Sequence, residues 1–143
     1  MKFIRIMLLA LLAIVSTGAS PAPAQRDYKV VYHITDSSRA TTLLVNIRNH
    51  LKARPTVKIV VVANGDGVDF LLEGAKNKNG NPYDASVEEF SMHDNVEFKV
   101  CNNTLLARHI DKSRVLPEAS LVESGIDEVT RLQIEEGYAY VKP

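Results

Sequence analysis

The chain of 143 residues holds one cysteine and no tryptophan, and it carries no excess of either charge. One cysteine excludes an intrachain disulfide, a C-x-x-C redox pair and a structural zinc site built on cysteines. The aromatic residues are only five tyrosines and four phenylalanines, too few for a base-stacking platform. Lysine plus arginine and aspartate plus glutamate both number 17. Without a basic excess, nothing points to nucleic acid as a partner. The four histidines, His33, His50, His93 and His109, form no i, i+3 or i, i+4 pair, so there is no local metal motif. G-x-G-x-x-G, the Walker lysine and the G-x-S-x-G elbow are all missing. No repeat and no interdomain linker interrupts the chain. With 45% hydrophobic and 24% charged residues, the composition is that of one globular domain.

The N-terminus reads as a secretory signal peptide over residues 1–24. Lys2 and Arg5 precede the apolar run Ile6–Val15, and Ala22-Pro23-Ala24 supplies an A-x-A cleavage pattern. That run is too short to span a bilayer, which weighs against an uncleaved anchor. No cysteine sits at the cleavage site, which excludes a lipoprotein anchor. The expectation is export to the bacterial periplasm, an oxidising compartment where a lone thiol is unusual. Residues 25–143 are expected to form one α/β domain, with no membrane association after cleavage.

Along that domain strands alternate with helices. Tyr28–Thr35 is β-branched and aromatic, as strands are. Ala40, Leu43, Leu44, Ile47 and Leu51 make one helical stripe, and Pro55 limits it. Val57–Ala63 is a continuous apolar run, the pattern of a strand buried on both faces. Val68, Leu71, Leu72 and Ala75 predict a second helical stripe, with Asp66 as its cap. Lys76–Pro82 reads as a polar loop, and Ser86–His93 as a short helix. Val96–Cys101 alternates and predicts a strand. Asn102-Asn103-Thr104 is expected to cap a helix over Leu105–Ile110. Leu121-Val122 is a short strand, and Ser124-x-x-Asp127 is a capping box before a stripe of Ile126, Val129 and Leu132. Gly137 ends that helix, and Tyr138–Val141 is the last strand. This order predicts a mostly parallel five-stranded sheet with helices on both faces.

In such sheets, sites collect beyond the carboxyl ends of the strands. That edge should carry His33, the turn Asn64-Gly65-Asp66-Gly67, and Cys101 with Asn102, Asn103 and Thr104. Cys101 precedes a helix, whose N–H groups stabilise a thiolate. The alternative is an inert thiol at a strand end. A calcium loop starting at Asn64 fails, because Ala75 stands where a bidentate Glu is required. Asn102-Asn103-Thr104 is also a glycosylation sequon, relevant only in a eukaryotic secretory pathway. His33 reads more simply as a satisfied core histidine than as a helper of Cys101.

Several segments together carry a family resemblance: Val60–Gly65, Phe98–Leu105 with its V-C-x-N-T, Val122–Gly125, and the tail L-Q-x-x-x-G-Y-A-Y-x-K-P from Leu132 to Pro143. They resemble the DsrE/DsrF-like family, in its small exported branch, over nearly the whole chain after the leader. The resemblance implies a flavodoxin-like three-layer fold and a homo-oligomer, trimer or hexamer. It also implies a single cysteine that relays sulfur as a persulfide, here Cys101, exchanging with a donor or acceptor protein. Asn64, Gly65, Asp66, Asn102, Asn103, Thr104 and His33 are the expected support. No metal and no organic cofactor is called for. The other reading is a non-catalytic oligomeric binding or assembly module of the same fold. A thiol-disulfide oxidoreductase lacks its second cysteine.

Overall fold

A computed structural model describes residues 27–143. The expected signal peptide, residues 1–24, lies outside them. The strands are β1 (Lys29–Ile34), β2 (Lys58–Ala63), β3 (Val96–Cys101), β4 (Ala119–Val122) and β5 (Ala139–Val141). The helices are α1 (Ala40–Ala53), α2 (Asp84–Ser91), α3 (Asn102–Ala107) and α4 (Gly125–Ile134). The sheet order is β4-β3-β2-β1-β5, and every pairing is parallel. The five-stranded sheet with flanking helices is the three-layer α/β fold that the alternation predicts.

The hand of parallel crossovers distributes the helices. From β1 to β4 the chain always steps to the same side, so right-handed connections put α1, α2 and α3 on one face. From β4 it returns across the sheet to β5, and α4 therefore lies on the other face. The two cores bear this out. One joins Leu43 and Ile47 of α1, Val87 and Phe90 of α2 and Leu105 of α3 to Val30, Ile59, Val61, Phe98 and Val100 of the sheet. The smaller one packs Val129 and Leu132 of α4 on Val31, Val60 and Val62. Each fully buried side chain of this size contributes roughly 1.5–3 kcal/mol.

Only α4 covers the second face among the described residues, and it is tied down by charge as well as packing. Lys99 of β3 donates to Glu128 at 2.7 Å, and Arg131 grips the same carboxylate at 2.8 and 3.0 Å. Glu97 stands 3.5 Å from Lys99. These hydrogen bonds from Arg131, with the Lys99 charge beside them, outweigh burial and hold the Glu128 carboxyl down at about 2.

Three expectations are corrected. The stripe at Val68–Ala75 is not an α-helix: Gly65–Leu71 is a 3₁₀ helix and Leu72 is extended. The backbone there must hug the end of β1, where a Cβ on Gly67 would sit 2.2 Å from the Ile34 carbonyl oxygen. Leu72 then bridges Val115, which pulls the chain out of helical geometry. The helix after β3 starts three residues early, with Cys101 itself as N-cap and Asn102, Asn103 and Thr104 inside its first turn. Ile126 leaves its stripe and is 55% exposed. Gly125 takes its place against the sheet.

Candidate functional site

Cys101 ends β3, and its neighbour β4 ends beside it at Val122. The chain leaves β3 toward one face and β4 toward the other. Adjacent strands whose connections diverge open a crevice, the place where ligands settle in open α/β sheets. Cys101 sits at that switch point, closed in by the starts of α3 and α4.

The thiol is only 5% exposed. Burial pushes its pKa up, but the Thr104 hydroxyl and the backbone N–H groups of Gly125, Thr104 and Asn103 act the other way and win, leaving it below 9.0. The donors come from both helices, Asn103 and Thr104 from α3 and Gly125 from α4. The protonated thiol has an outlet as well, since Sγ lies 4.0 Å from the Glu123 carbonyl oxygen. Gly125 is glycine for a steric reason. A Cβ there would lie 3.1 Å from the Cys101 Cβ and 3.2 Å from the Asn64 Cβ, so even an alanine would make these neighbours give by a few tenths of an ångström.

A second layer holds these groups. The Thr104 hydroxyl accepts from the Gly65 N–H at 3.0 Å, which leaves its hydrogen free for the sulfur. Asn64 flanks the α4 start and accepts at Oδ1 from His33 Nε2, 2.9 Å away. His33 Nδ1 lies 3.1 Å from the Tyr140 hydroxyl, so in the neutral ring Nε2 carries the hydrogen and Nδ1 accepts from Tyr140. His33 is thus the satisfied core histidine that the simpler reading expected, joined to the cysteine's neighbourhood only through Asn64.

Of the residues expected around Cys101, the fold gathers Asn64, Gly65, Asn102, Asn103, Thr104 and, one step out, His33. Asn103 N–H also bonds the Glu123 carbonyl at 3.1 Å, stitching α3 to the end of β4. The Asn102 side-chain oxygen is buried with no hydrogen-bond partner. Asp66 departs from expectation twice. It caps nothing, because Asn64 precedes the 3₁₀ helix and makes no side-chain cap bond. Nor does it act on the thiol: it turns to Arg108 at 3.7 Å, which also binds Asp69 at 2.8 Å. Sequence reasoning missed Gly125, Glu123 and Tyr140. The capping box at Ser124, whose hydroxyl accepts from the Asp127 N–H at 3.3 Å, marked where α4 starts. Only the strand order reveals that this start abuts β3.

Among the described residues no helix is long and apolar enough to cross a membrane, and no group of three or more His, Cys, Asp or Glu could hold a metal ion.

The model of the DsrE/DsrF-like family matches residues 19–143. A solved protein of unknown function from Methanobacterium thermoautotrophicum, MTH1491, shares 36% sequence identity, with a TM-score of 0.70 over 82% of this chain and 100% of its own. The ychN protein from E. coli, at 15% identity, shares the fold with a TM-score of 0.65 over 82% of this chain and all of its own. No curated protein matches the sequence.

Proposed function

Since the chain belongs to the DsrE/DsrF-like family, a fold related to sulfur relay, we propose that it is an exported sulfur carrier that holds sulfane sulfur on Cys101. The observation that carries this reading is the thiol's setting at the paired ends of β3 and β4, between the starts of α3 and α4. N–H groups from two helices and the Thr104 hydroxyl favour its anion, and a persulfide is an anion of the same kind, one atom longer.

The step follows thiol-disulfide exchange. The Cys101 thiolate attacks the sulfane sulfur of a polysulfide or thiosulfonate donor. A bond forms from Sγ to that sulfur as the donor's S–S bond breaks, and the donor leaves with the electron pair as a thiolate or sulfinate. An acceptor thiolate then attacks the outer sulfur. The Sγ–S bond breaks, Cys101 departs as thiolate and the acceptor holds the persulfide. Asn103, Thr104 and Gly125 stabilise Sγ as an anion before and after transfer.

Export belongs to the proposal and rests on Lys2, Arg5, the run Ile6–Val15 and the A-x-A pattern. N-terminal sequencing of the native protein should begin at or near Gln25, and a membrane-embedded form still starting at Met1 would overturn export. A homo-oligomer, with a trimer favoured, belongs to it too. Its support is the half-exposed Tyr140 on β5 and the exposed Leu121 on β4, the two edges of the sheet. Light scattering that gave a clean monomer would overturn it.

One observation favours the binding or assembly module instead: the thiol is almost wholly buried, as inert cysteines are. Mass spectrometry of protein treated with polysulfide separates the two. Loading of ~32 Da on the Cys101 peptide, lost in Cys101→Ser, supports the carrier. A Cys101 that never takes up sulfur leaves the module.

A further inference from the structure

The polar stretch Lys76–Pro82, which the thiol site does not use, is a built hairpin. Lys76 and Pro82 bridge antiparallel. Asn77 N–H donates to the Asn81 carbonyl at 2.8 Å and Gly80 N–H to the Asn77 carbonyl at 2.9 Å. The Asn77 side-chain oxygen accepts from the N–H groups of Asn79 and Asn81 at 2.9 and 3.0 Å. Gly80 turns the tip at φ 79°, a conformation glycine adopts freely. This much order in a solvent-facing loop sets the backbone positions from which two exposed lysines, Lys76 and Lys78, extend.

The hairpin walls a cavity of about 860 Å³ beyond the carboxyl ends of β1 and β2. That size suits a small organic ligand. The 3₁₀ helix Gly65–Leu71 separates it from Cys101, which does not line it.

The lining charges are sorted by element. Lys76 and Lys78 come from the hairpin, and Arg114 from the turn Lys112–Arg114. That turn is pinned by the Glu73 N–H donating to the Arg114 carbonyl at 2.7 Å. None of these three cations has an ion pair among the described residues. Glu73 is the carboxylate on their side. The β1–α1 connection supplies Asp36, whose Oδ1 also accepts from the Ser38 N–H at 2.8 Å, and Ser38; the first turn of α1 supplies Thr41, whose hydroxyl lies 3.2 Å from that of Tyr83; Asp66 and Asp69 are shared with Arg108. Four cations and four carboxylates line the space in all, so it has no net charge with which to draw a bare anion. It fits a molecule with both an anionic head and hydroxyls that donate to carboxylates.

We propose that this cavity binds a phosphomonoester on a small hydroxyl-bearing body, with its phosphate at Lys76, Lys78 and Arg114 and its hydroxyls at Asp36, Ser38 and Thr41. A phosphomonoester is close to a dianion at neutral pH. Two lysine point charges and one arginine fork match that charge. The site does not depend on sulfur chemistry at Cys101.

Isothermal titration of the purified protein with glycerol 3-phosphate and glucose 6-phosphate tests it, with glycerol, glucose and inorganic phosphate as controls. At least one ester should bind roughly tenfold or more tighter than every control, and rising salt should weaken it. The triple variant Lys76→Ala, Lys78→Ala, Arg114→Ala should lose roughly tenfold or more in affinity with unchanged thermal stability, since all three side chains are on the surface. Cys101→Ser should bind as the wild type does, so this site can fail or stand without the sulfur carrier. Three results would each overturn it: neither ester binding with a Kd below ~10 mM, the triple variant binding normally, or inorganic phosphate binding as tightly as the esters.

Discussion

Replacing Glu128 with glutamine tests how α4 is held over the sheet. The side chain keeps its shape and loses its charge. Lys99, 15% exposed, keeps only Glu97 at 3.5 Å, and Arg131 loses its best acceptor. The Glu128 carboxyl is lowered from 4.5 to about 2, worth about 3 kcal/mol at about 1.4 kcal/mol per unit. Because the folded value is the lower one, that stability is present above 4.5 and lost as pH falls toward about 2. At about pH 3 the same linkage leaves only about 1.4 kcal/mol of it. Urea unfolding near pH 7 should therefore show Glu128→Gln less stable by about 2–3 kcal/mol. By about pH 3 the gap between the two proteins should narrow by about 2 kcal/mol. Other carboxylates titrate in both proteins and cancel in this difference. A gap under about 0.5 kcal/mol near neutral pH, or one that does not narrow with acid, would refute the reasoning.

The donors around Cys101 predict that Thr104→Val raises the thiol pKa, so alkylation by iodoacetamide near neutral pH slows while its rate at high pH recovers; equal rates at all pH values would remove Thr104 from the site. Gly67→Ala must displace backbone, since its Cβ would fall 2.2 Å from the Ile34 oxygen. A loss of about 3 kcal/mol or more in urea unfolding is expected, and a loss under about 1 kcal/mol would contradict the close approach. Tyr140→Phe removes the hydroxyl on His33 Nδ1 and should cost only about 1 kcal/mol, because Tyr140 is half exposed and water can replace it.

The elements were legible wherever burial is one-sided and periodic. The stripe of α1 from Ala40 to Ile47 is buried as read, and the alternation of β3 does put Val96, Phe98 and Val100 into one core. Legibility failed where backbone contact outranks side-chain pattern. Val68 and Leu71 are spaced as in a helix and are both buried. A 3₁₀ helix satisfies an i, i+3 spacing equally well, and the approach of Gly67 to Ile34 is invisible without β1 beside it. Asp66 failed for a related reason. An acidic residue after a strand reads as a cap, but its partner Arg108 is far along the chain at the end of α3.

The site shows the same division between what a segment encodes and what topology adds. A cysteine at a strand end before a helix is a local fact, and one helix start is half of what surrounds Cys101. The other half is Gly125, and it reaches the thiol only because β4 lies next to β3 while α4 turns back over the opposite face. The ion cluster on Glu128 fixes α4 one turn further along. Charge at the middle of α4 therefore sets the position of an N–H at its start. A sequence without Lys99 or Arg131 would keep the cysteine, its V-C-x-N-T segment and its strand. The Gly125 donor would then be held by packing on Val129 and Leu132 and by the Asn103–Glu123 bond just before it, so the α4 side of the thiol's setting would be held less firmly than the α3 side.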